Sequence, residues 1–224
     1  MTSKKRVGVL ISGRGSNLLS LIEACKQPEF PAEIVLVVSN RADAGGLQHG
    51  SRNNIPTQVI DHKQFATREE FEDELTAALA AEHVDLVCNA GFMRLLTENF
   101  VDHWLNRQLN IHPSLLPSYK GLNTHARVLA DGSLITGCSV HFVRTEMDSG
   151  PLIAQAAIGV VPGETEESLA ARVLAVEHVI YPYALHLVAS GAVVVENDRV
   201  KYGDKLPDLE QPENGSNWFI VPRA

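Results

Sequence analysis

The sequence predicts an α/β protein with an open, mostly parallel, twisted sheet, helices on both faces and an antiparallel portion toward the C-terminus. Short apolar runs alternate with longer amphipathic segments through the first half of the chain. Strands that are apolar on both faces are typical of parallel sheets covered by helices. In the second half, two strand-like runs follow each other with only a turn-rich segment between them, which indicates a hairpin.

The elements of the first half follow from this alternation. We predict strands at residues 6–11, 33–39, 57–61, 84–90 and 108–112, and helices at 18–25 and 67–82. The second helix has the clearest start, because Thr67 can cap it and Glu70 stands at the capping-box position. Ligands of such sheets bind beyond the carboxyl ends of the strands, so we expect a site in the loops that follow them.

The second half contains the hairpin and one long helix. We predict strands at 138–144 and 152–161, a helix at 165–189, and two short strands at 192–196 and 199–202. Thr165 and Ser168 are both suitable starts for the helix, and Gly191 ends it. We therefore expect one domain over residues 1–202, followed by an extended or disordered tail over 203–224.

Composition and charge restrict the class of protein. The chain has 224 residues, with 19 Lys and Arg against 27 Asp and Glu, which gives a net charge of −8. This charge opposes binding to nucleic acid, and the apolar runs are far shorter than the ~18 residues of a membrane span. The apolar run at 7–11 is too short for a secretory signal, so we expect a cytoplasmic protein.

The three cysteines do not indicate a metal site or a disulfide framework. Cys25, Cys88 and Cys138 are widely spaced and lie among apolar neighbours. No pair has the spacing of a zinc finger. We interpret all three as small core residues.

A glycine-rich loop, Ser12-Gly-Arg-Gly-Ser-Asn17, follows the first predicted strand. Such a loop at a helix start can bind a phosphate with backbone N–H groups. Alternatively, the glycines only form the tight turn, and Ser16 or Asn17 caps the helix. The third glycine of a dinucleotide motif is replaced by Leu18, and no P-loop lysine follows. A monophosphate therefore fits better than NAD or ATP.

The fifth predicted strand ends in a polar pair. Asn110 and His112 point to the same side of the sheet, because side chains alternate along a strand. A carboxamide can donate to an oxyanion, and an imidazole can act as acid or base near neutral pH. The alternative is a buried pair that satisfies loop carbonyls. Pro113 and Pro117 restrict the backbone directly afterwards, which favours a pre-organised site.

The segment that contains this pair resembles a known family. Asn-Ile-His-Pro-Ser-Leu-Leu-Pro at 110–117, with Met-Asp-Ser-Gly-Pro at 147–151, is similar to the folate-dependent formyltransferases that use 10-formyltetrahydrofolate. With the motifs at 11–17, 90–94 and 177–182, the chain resembles the phosphoribosylglycinamide formyltransferase family, which has a Rossmann-like fold. The resemblance runs from about residue 7 to residue 202.

The resemblance implies a reaction and three catalytic residues. The formyl group of 10-formyltetrahydrofolate, a co-substrate, would pass to the amine of 5′-phosphoribosylglycinamide in de novo purine (IMP) biosynthesis, without a metal. Asn110 would donate to the formyl oxygen, and protonated His112 would stabilise the oxyanion and move a proton. Asp148 would hold His112, since a carboxylate favours the charged imidazole. Without the resemblance, we would favour the alternative in which Asp148 is a turn residue that caps its own Ser-Gly bend.

The resemblance also implies the binding residues. Those for the ribonucleotide are Gly15, Ser16 and Asn17, at the 5′-phosphate, and Glu177. Those for folate are Arg68, Met93, Arg94, Leu95, Leu96, Asn110, Arg144 and Asp148. The N-terminal half would thus bind phosphate and the C-terminal half folate. At 100° per residue, Glu177 falls at the rim of the buried face of its helix, and Arg68 is alternatively a solvated charge.

Three other functions are alternatives to this transferase. A formyltetrahydrofolate hydrolase would carry an N-terminal regulatory domain, and here only six residues precede residue 7, where the first strand and the resemblance begin. A methionyl-tRNA formyltransferase would need a C-terminal RNA-binding domain, which the 22-residue tail does not supply. A non-catalytic phosphate or folate binder would not need Asn110, His112 and Asp148 together, so their presence argues against this alternative. Some relatives have a second histidine where this chain has Asn123, whereas His125 matches. We expect small-molecule partners and a monomer or homodimer.

Overall fold

A computed structural model describes residues 3–204, 206 and 218–222. The chain separates into two compact units, the first made of residues 1–110 and 142–145 and the second of residues 111–141 and 146–224. The expectation of one domain over 1–202 therefore stays a prediction. Among the described residues, eight strands form one mixed sheet and two further strands form a separate antiparallel pair, which confirms the predicted fold class.

The first unit contains the parallel part of the sheet. Its strands are β1 (Lys5–Ile11), β2 (Ala32–Ser39), β3 (Thr57–Val59), β4 (Leu86–Asn89) and β5 (Gln108–His112), whose last two residues belong to the second unit. Hydrogen-bonded neighbours follow the order β5-β4-β1-β2-β3, and all pairs are parallel. The order reverses beside β1, because the chain continues to β2 on one side and later returns to β4 on the other.

Among its described residues, the first unit has a short 3-10 helix (His62–Gln64) and four α-helices: α1 (Ser16–Cys25), α2 (Gly46–Arg52), α3 (Arg68–Ala81) and α4 (Glu98–His103). The predicted capping box of α3 is confirmed, since the Thr67 hydroxyl accepts from the Glu70 N–H and the Glu70 carboxylate accepts from the Thr67 N–H. Phe71, Leu75 and Leu79 of α3 pack in the apolar core with residues of β1 and β2. The sequence did not predict α2 and α4.

The second unit contains the antiparallel part. Its elements are α5 (Thr124–Ala130), β6 (Ile135–Phe142), β7 (Leu152–Gly159), α6 (Glu166–Ala189), β8 (Val193–Glu196), β9 (Arg199–Tyr202) and β10 (Trp218–Val221). The predicted hairpin is confirmed, because β6 pairs with β7 in antiparallel register. β6 begins three residues earlier than predicted, since Thr136 and Gly137 pair with β7 despite their low hydrophobicity. Thr165, not Ser168, caps α6.

The C-terminal tail contributes a strand. β10 pairs antiparallel with β7, and Ile220 is buried. The expectation of an extended or disordered tail otherwise falls largely on residues 207–217 and 223–224, outside the described residues. Residues 218–221 show that this end of the chain carries sheet structure that the lack of periodicity did not predict.

The interpretation of the cysteines as core residues is confirmed for Cys88 and Cys138 but not for Cys25. Cys88 and Cys138 are fully buried, and Cys25 is half-buried; none of the three belongs to a disulfide within the described residues. Burial raises the pKa of Cys25 to about 12, so this thiol stays protonated at neutral pH. Among the described residues, no helix has the length and apolar character that crossing a membrane requires.

Candidate active site

The strand β5 carries the Asn-Ile-His sequence to the carboxyl end of the sheet. Asn110 lies opposite Asn89 of β4 and is half-buried. His112 ends the strand and is buried, with 6% of its surface exposed. Because side chains alternate along a strand, the carboxamide of Asn110 and the imidazole of His112 leave the same face of β5.

Both ring nitrogens of His112 face hydrogen-bond acceptors. Nε2 lies 2.9 Å from the main-chain carbonyl of Tyr119, and Nδ1 lies 3.4 Å from Oδ2 of Asp148. A carbonyl oxygen can only accept, so Nε2 carries a proton. A second proton on Nδ1 would be placed toward a carboxylate. The geometry thus offers one acceptor to each ring nitrogen of His112.

Two buried serines hold the loop that follows β5. The Ser114 hydroxyl donates to the carbonyl of Ser118 at 2.6 Å. The Ser139 hydroxyl of β6 donates to the carbonyl of Ser114 at 2.7 Å and accepts from the N–H of Leu116 at 3.0 Å. Both serines are fully buried. These bonds fix the loop whose pre-organisation we had predicted from the prolines alone.

Asp148 lies in the left-handed backbone region, with a φ of 51°. Its carboxylate interacts with residues outside its own turn. Oδ2 accepts from the N–H of Gly121 at 2.8 Å and faces Nδ1 of His112. Only 9% of the side chain is exposed. The geometry therefore contradicts the alternative in which Asp148 only caps its own Ser-Gly bend.

A second histidine beside Asp148 was missed by the sequence reasoning. Nε2 of His141, a buried residue of β6, lies 3.8 Å from Oδ1 of Asp148. Asp148 thus lies between two imidazoles, one at each carboxylate oxygen. The sequence signal was a single histidine in a strand with few polar residues, which is insufficient for a prediction.

The glycine-rich loop leads directly into α1. Gly15 is the N-cap residue, with a φ of 77°, and no side chain caps the helix. The alternative in which Ser16 or Asn17 serves as the N-cap is therefore wrong, because α1 already begins at Ser16. A Cβ at Gly15 would lie 2.6 Å from Cα of Gly46, so α2 packs against this loop where two glycines meet. The uncapped helix start can bind an anion.

The residues predicted to bind folate have different surroundings. In the first unit, Met93 and Leu95 are largely exposed, Arg68 is exposed in the first turn of α3, and Leu96 is half-buried. Arg144 donates to Oδ1 of Asn106 at 2.8 Å and to the carbonyl of Val143.

The remaining candidates of the second unit lie on α5 and α6. Glu177 is buried, with 6% of its surface exposed, and so is placed deeper than the rim position predicted from the helical wheel. Asn123 is the N-cap residue of α5, in the left-handed region. Burial lowers the pKa of His125; Glu166 opposes this shift and the nearby His112 adds to it. Among described residues, no group of three or more His, Cys, Asp or Glu could hold a metal ion.

The comparisons with known proteins define the class. The family model described as formyl transferase matches residues 5–185. The chain belongs to this formyl transferase family, and the resemblance seen in the sequence is confirmed.

Particular relatives narrow this class. The chain is 44% identical to phosphoribosylglycinamide formyltransferase of Escherichia coli over 89% of its own length and 94% of that protein. It is 53% identical to the trifunctional purine biosynthetic protein adenosine-3 of Gallus gallus over 87% of its length, but spans only 19% of that longer protein. The crystal structure of glycinamide ribonucleotide transformylase 1 from Symbiobacterium toebii superimposes with a TM-score of 0.88 at 43% identity, covering 91% of this chain and 96% of that one.

Proposed function

We propose that the chain transfers the formyl group of 10-formyltetrahydrofolate to the amine of 5′-phosphoribosylglycinamide. The products are formylglycinamide ribonucleotide and tetrahydrofolate, and the step belongs to de novo purine biosynthesis. The observation that carries this proposal is the buried His112, whose ring lies between the Tyr119 carbonyl and the Asp148 carboxylate next to Asn110 on β5. The names of the E. coli and S. toebii relatives support the choice of acceptor.

The proposed chemistry is acyl transfer through a tetrahedral intermediate. The amine nitrogen forms a bond to the formyl carbon, and the bond from that carbon to N10 of the donor breaks. The amine loses one proton and N10 gains one. Asn110 donates its side-chain amide N–H to the formyl oxygen while negative charge develops there. His112 stabilises the same oxygen and moves the proton.

The contacts of His112 assign its two nitrogens different tasks. Nδ1 stays with Asp148, a buried carboxylate that favours the imidazolium. Nε2 now donates to a neutral carbonyl of Tyr119. That carbonyl is the weaker partner, so the oxyanion can replace it as acceptor for the Nε2 proton.

The acceptor substrate would be held by its phosphate. Gly15, Ser16 and Asn17 bind the 5′-phosphate at the start of α1, and Glu177 contacts the ribonucleotide. No side chain caps this helix start, which supports the assignment. Backbone donors and a helix dipole need no excess of Lys or Arg, so a chain of net charge −8 can bind this anion.

The formyl donor would be held along the segment 93–96. Met93 and Leu95 offer exposed apolar surface for it, and Arg94 offers a cation, as do Arg68 and Arg144. We further propose that the enzyme is cytoplasmic. Its substrates would be two small molecules, because the net charge disfavours a polynucleotide.

The test follows tetrahydrofolate release from 10-formyltetrahydrofolate with and without glycinamide ribonucleotide. We expect tetrahydrofolate to be released only when the ribonucleotide is present. The amount of tetrahydrofolate should equal the amount of formylated product. Release at the same rate without the ribonucleotide would instead identify a hydrolase, in which water replaces the amine.

The variant His112→Ala tests whether turnover depends on this imidazole. We expect it to lose turnover by roughly 100-fold or more while both substrates still bind in calorimetry. His103→Ala, a change at an exposed histidine of α4, is the control and should keep full turnover. If His112→Ala keeps full turnover as well, the chemistry does not pass through this imidazole.

A further inference from the structure

Three carboxamide side chains lie on one face of the parallel sheet, where β4 and β5 pair. The two strands run in parallel register, with Asn89 directly opposite Asn110. Gln108 and Asn110 leave the same face of β5, because they are two residues apart. Nε2 of Gln108 donates to Oδ1 of Asn89 at 3.1 Å, which places the side chain of Asn89 on that face as well. Asn110 therefore has a second carboxamide beside it.

The pair formed by Gln108 and Asn89 is buried next to apolar residues. Gln108 is 1% exposed and Asn89 is 6% exposed. Val87 of β4 and Leu10, which lies opposite Asn89 on β1, both belong to the apolar core of the first unit. Two apolar residues of the same shape would stabilise such a place about as well as a hydrogen-bonded polar pair. Stability alone therefore does not explain the pair.

The hydrogen bond within this pair fixes which end of Asn89 faces β5. Nε2 of Gln108 can only donate, so the end of Asn89 that is turned toward β5 is its carbonyl oxygen. Within the described part of the chain, Oε1 of Gln108 is buried without a hydrogen-bond partner. A buried acceptor without a donor lowers stability, so this orientation of the pair gives no advantage to the fold itself.

We propose that Asn89 is a positioning residue for Asn110 and that Gln108 holds Asn89 in the required orientation. A carbonyl oxygen can accept two hydrogen bonds, and Oδ1 of Asn89 receives one from Gln108. The second would come from Nδ2 of Asn110, directly opposite. That nitrogen carries two N–H groups, so one can bind Asn89 while the other donates to the formyl oxygen. The inference rests on the proposed function, which assigns this donation to Asn110.

The carboxamide of Asn110 needs such a neighbour because its nitrogen and oxygen ends have almost the same shape. Packing alone does not distinguish the two ends, and an oxygen turned toward the formyl oxygen would oppose the negative charge that develops there. An acceptor beside Asn110 favours the orientation that presents N–H groups before the reaction begins. The arrangement should therefore act on kcat and leave the KM of both substrates unchanged, because its effect arises when charge develops.

The test replaces Asn89 with leucine, which has nearly the same volume but no acceptor. We expect kcat of Asn89→Leu to fall about fivefold, the effect of one hydrogen bond between neutral groups, while both KM values stay within about twofold. Asn89→Thr, which keeps an oxygen acceptor, should recover part of kcat. Thr136→Val, a change at a buried hydroxyl of β6, is the matched control and should keep the full kcat. Full kcat in Asn89→Leu would overturn the inference.

Two double variants separate positioning from a general structural effect. Asn89→Leu combined with Gln108→Leu removes both partners of the buried bond, so the urea midpoint of unfolding should stay near that of the wild type while the loss of kcat remains. Adding Asn89→Leu to Asn110→Ala should lower kcat no further, because the side chain to be positioned is gone. Recovery of kcat in the first double variant, or a further loss in the second, overturns the inference.

A measurement without turnover separates this inference from the proposed function. Neutron diffraction distinguishes the nitrogen of a carboxamide from its oxygen, and we expect Nδ2 of Asn110 to lie toward Oδ1 of Asn89. If the wild type has this orientation but transfers no formyl group, the proposed function fails and the positioning is supported. If Oδ1 of Asn110 lies toward Asn89 instead, the positioning is overturned, whatever the rate of transfer.

Discussion

At the scale of single residues, the left-handed backbone of Asp148 is what brings a carboxylate to His112. The φ of 51° is costly for most residues, but Asp and Asn tolerate it. The conformation is held by the N–H of Gly121, which donates to the carboxylate at 2.8 Å. The carboxylate thus fixes the loop and faces the imidazole at the same time.

A first prediction concerns the charge of this residue. Asp148→Asn keeps the size of the side chain and its backbone preference, but it removes the negative charge that favours imidazolium at position 112. We expect kcat to fall by roughly 100-fold, with little change in the dissociation constants of either substrate. Asp198→Asn, at an exposed residue with a φ of 56°, is the matched control and should be silent. An equal loss in both variants would show a general effect of replacing aspartate.

A second prediction concerns the loop at the start of α1. In Gly15→Ala, the new Cβ meets Gly46 at 2.6 Å while the backbone keeps a φ of 77°. A left-handed conformation costs about 1–2 kcal/mol for such a residue, so the loop should shift. We expect the KM for the ribonucleotide to rise tenfold or more, and the KM for the formyl donor to change little. Gly45→Ala, where a Cβ meets Arg14 at an ordinary 3.8 Å, should leave both values unchanged.

The sequence predicted only those site residues whose relation is local. Asn110 and His112 share one strand, so their spacing alone places them on one face. Asp148 could not be connected to His112 by periodicity, because 36 positions separate them; the resemblance supplied that pair. His141 and Asn89 were missed for the same reason, since their partners come from other elements and only the folded chain brings them together.

At the scale of elements, the long periodic helices could be predicted and the short helices could not. The 24 residues of α6 and the capping box of α3 are strong signals. By contrast, α2, α4 and α5 have seven residues or fewer, and α2 contains two glycines. Such short helices form because of tertiary packing and have little propensity of their own. One consequence is that the contact between Gly46 of α2 and Gly15 of the glycine-rich loop could not be predicted from the sequence.

A third prediction concerns α6, which carries two histidines with perturbed titration. Burial lowers the pKa of His178 and of His186 from the ordinary 6.5. In the unfolded chain both would take up a proton near that value, whereas the folded chain resists it. The contribution of the two neutral histidines to the free energy of unfolding is therefore complete above pH 6.5. It is lost as the pH falls from 6.5 through the lower pKa values of the folded state.

We expect the urea concentration at the midpoint of unfolding to decrease when the pH is lowered from 7.5 to 5.5. The double variant His178→Gln, His186→Gln should show a distinctly smaller fall, because glutamine does not titrate. His103→Gln, at an exposed position, should follow the wild type. If the double variant loses stability with the same slope as the wild type, other groups dominate the acid response.

At the scale of the whole molecule, alternation of strands and helices was enough to predict the sheet class, but the sequence did not predict the last strand. β10 follows a stretch rich in Pro, Gly and Asn, and its four residues carry no detectable period. Its position comes from β7, whose outer edge it pairs with. An unpaired edge of that kind is a site for aggregation, so a terminal strand that covers it protects the protein.

The last prediction tests whether this terminal strand is part of the cooperative fold. Ile220 is 1% exposed and lies opposite Ala156 of β7, whereas its neighbour Val221 is 46% exposed. Ile220→Ala should cost about 2–4 kcal/mol of unfolding free energy, since it leaves a cavity in the core, and Val221→Ala should cost below about 0.5 kcal/mol. Urea unfolding followed by circular dichroism measures both values. A tail that only rests on the sheet would show two small and equal effects. A strand that belongs to the core must show the difference, because of these two side chains Ile220 is buried and Val221 is exposed.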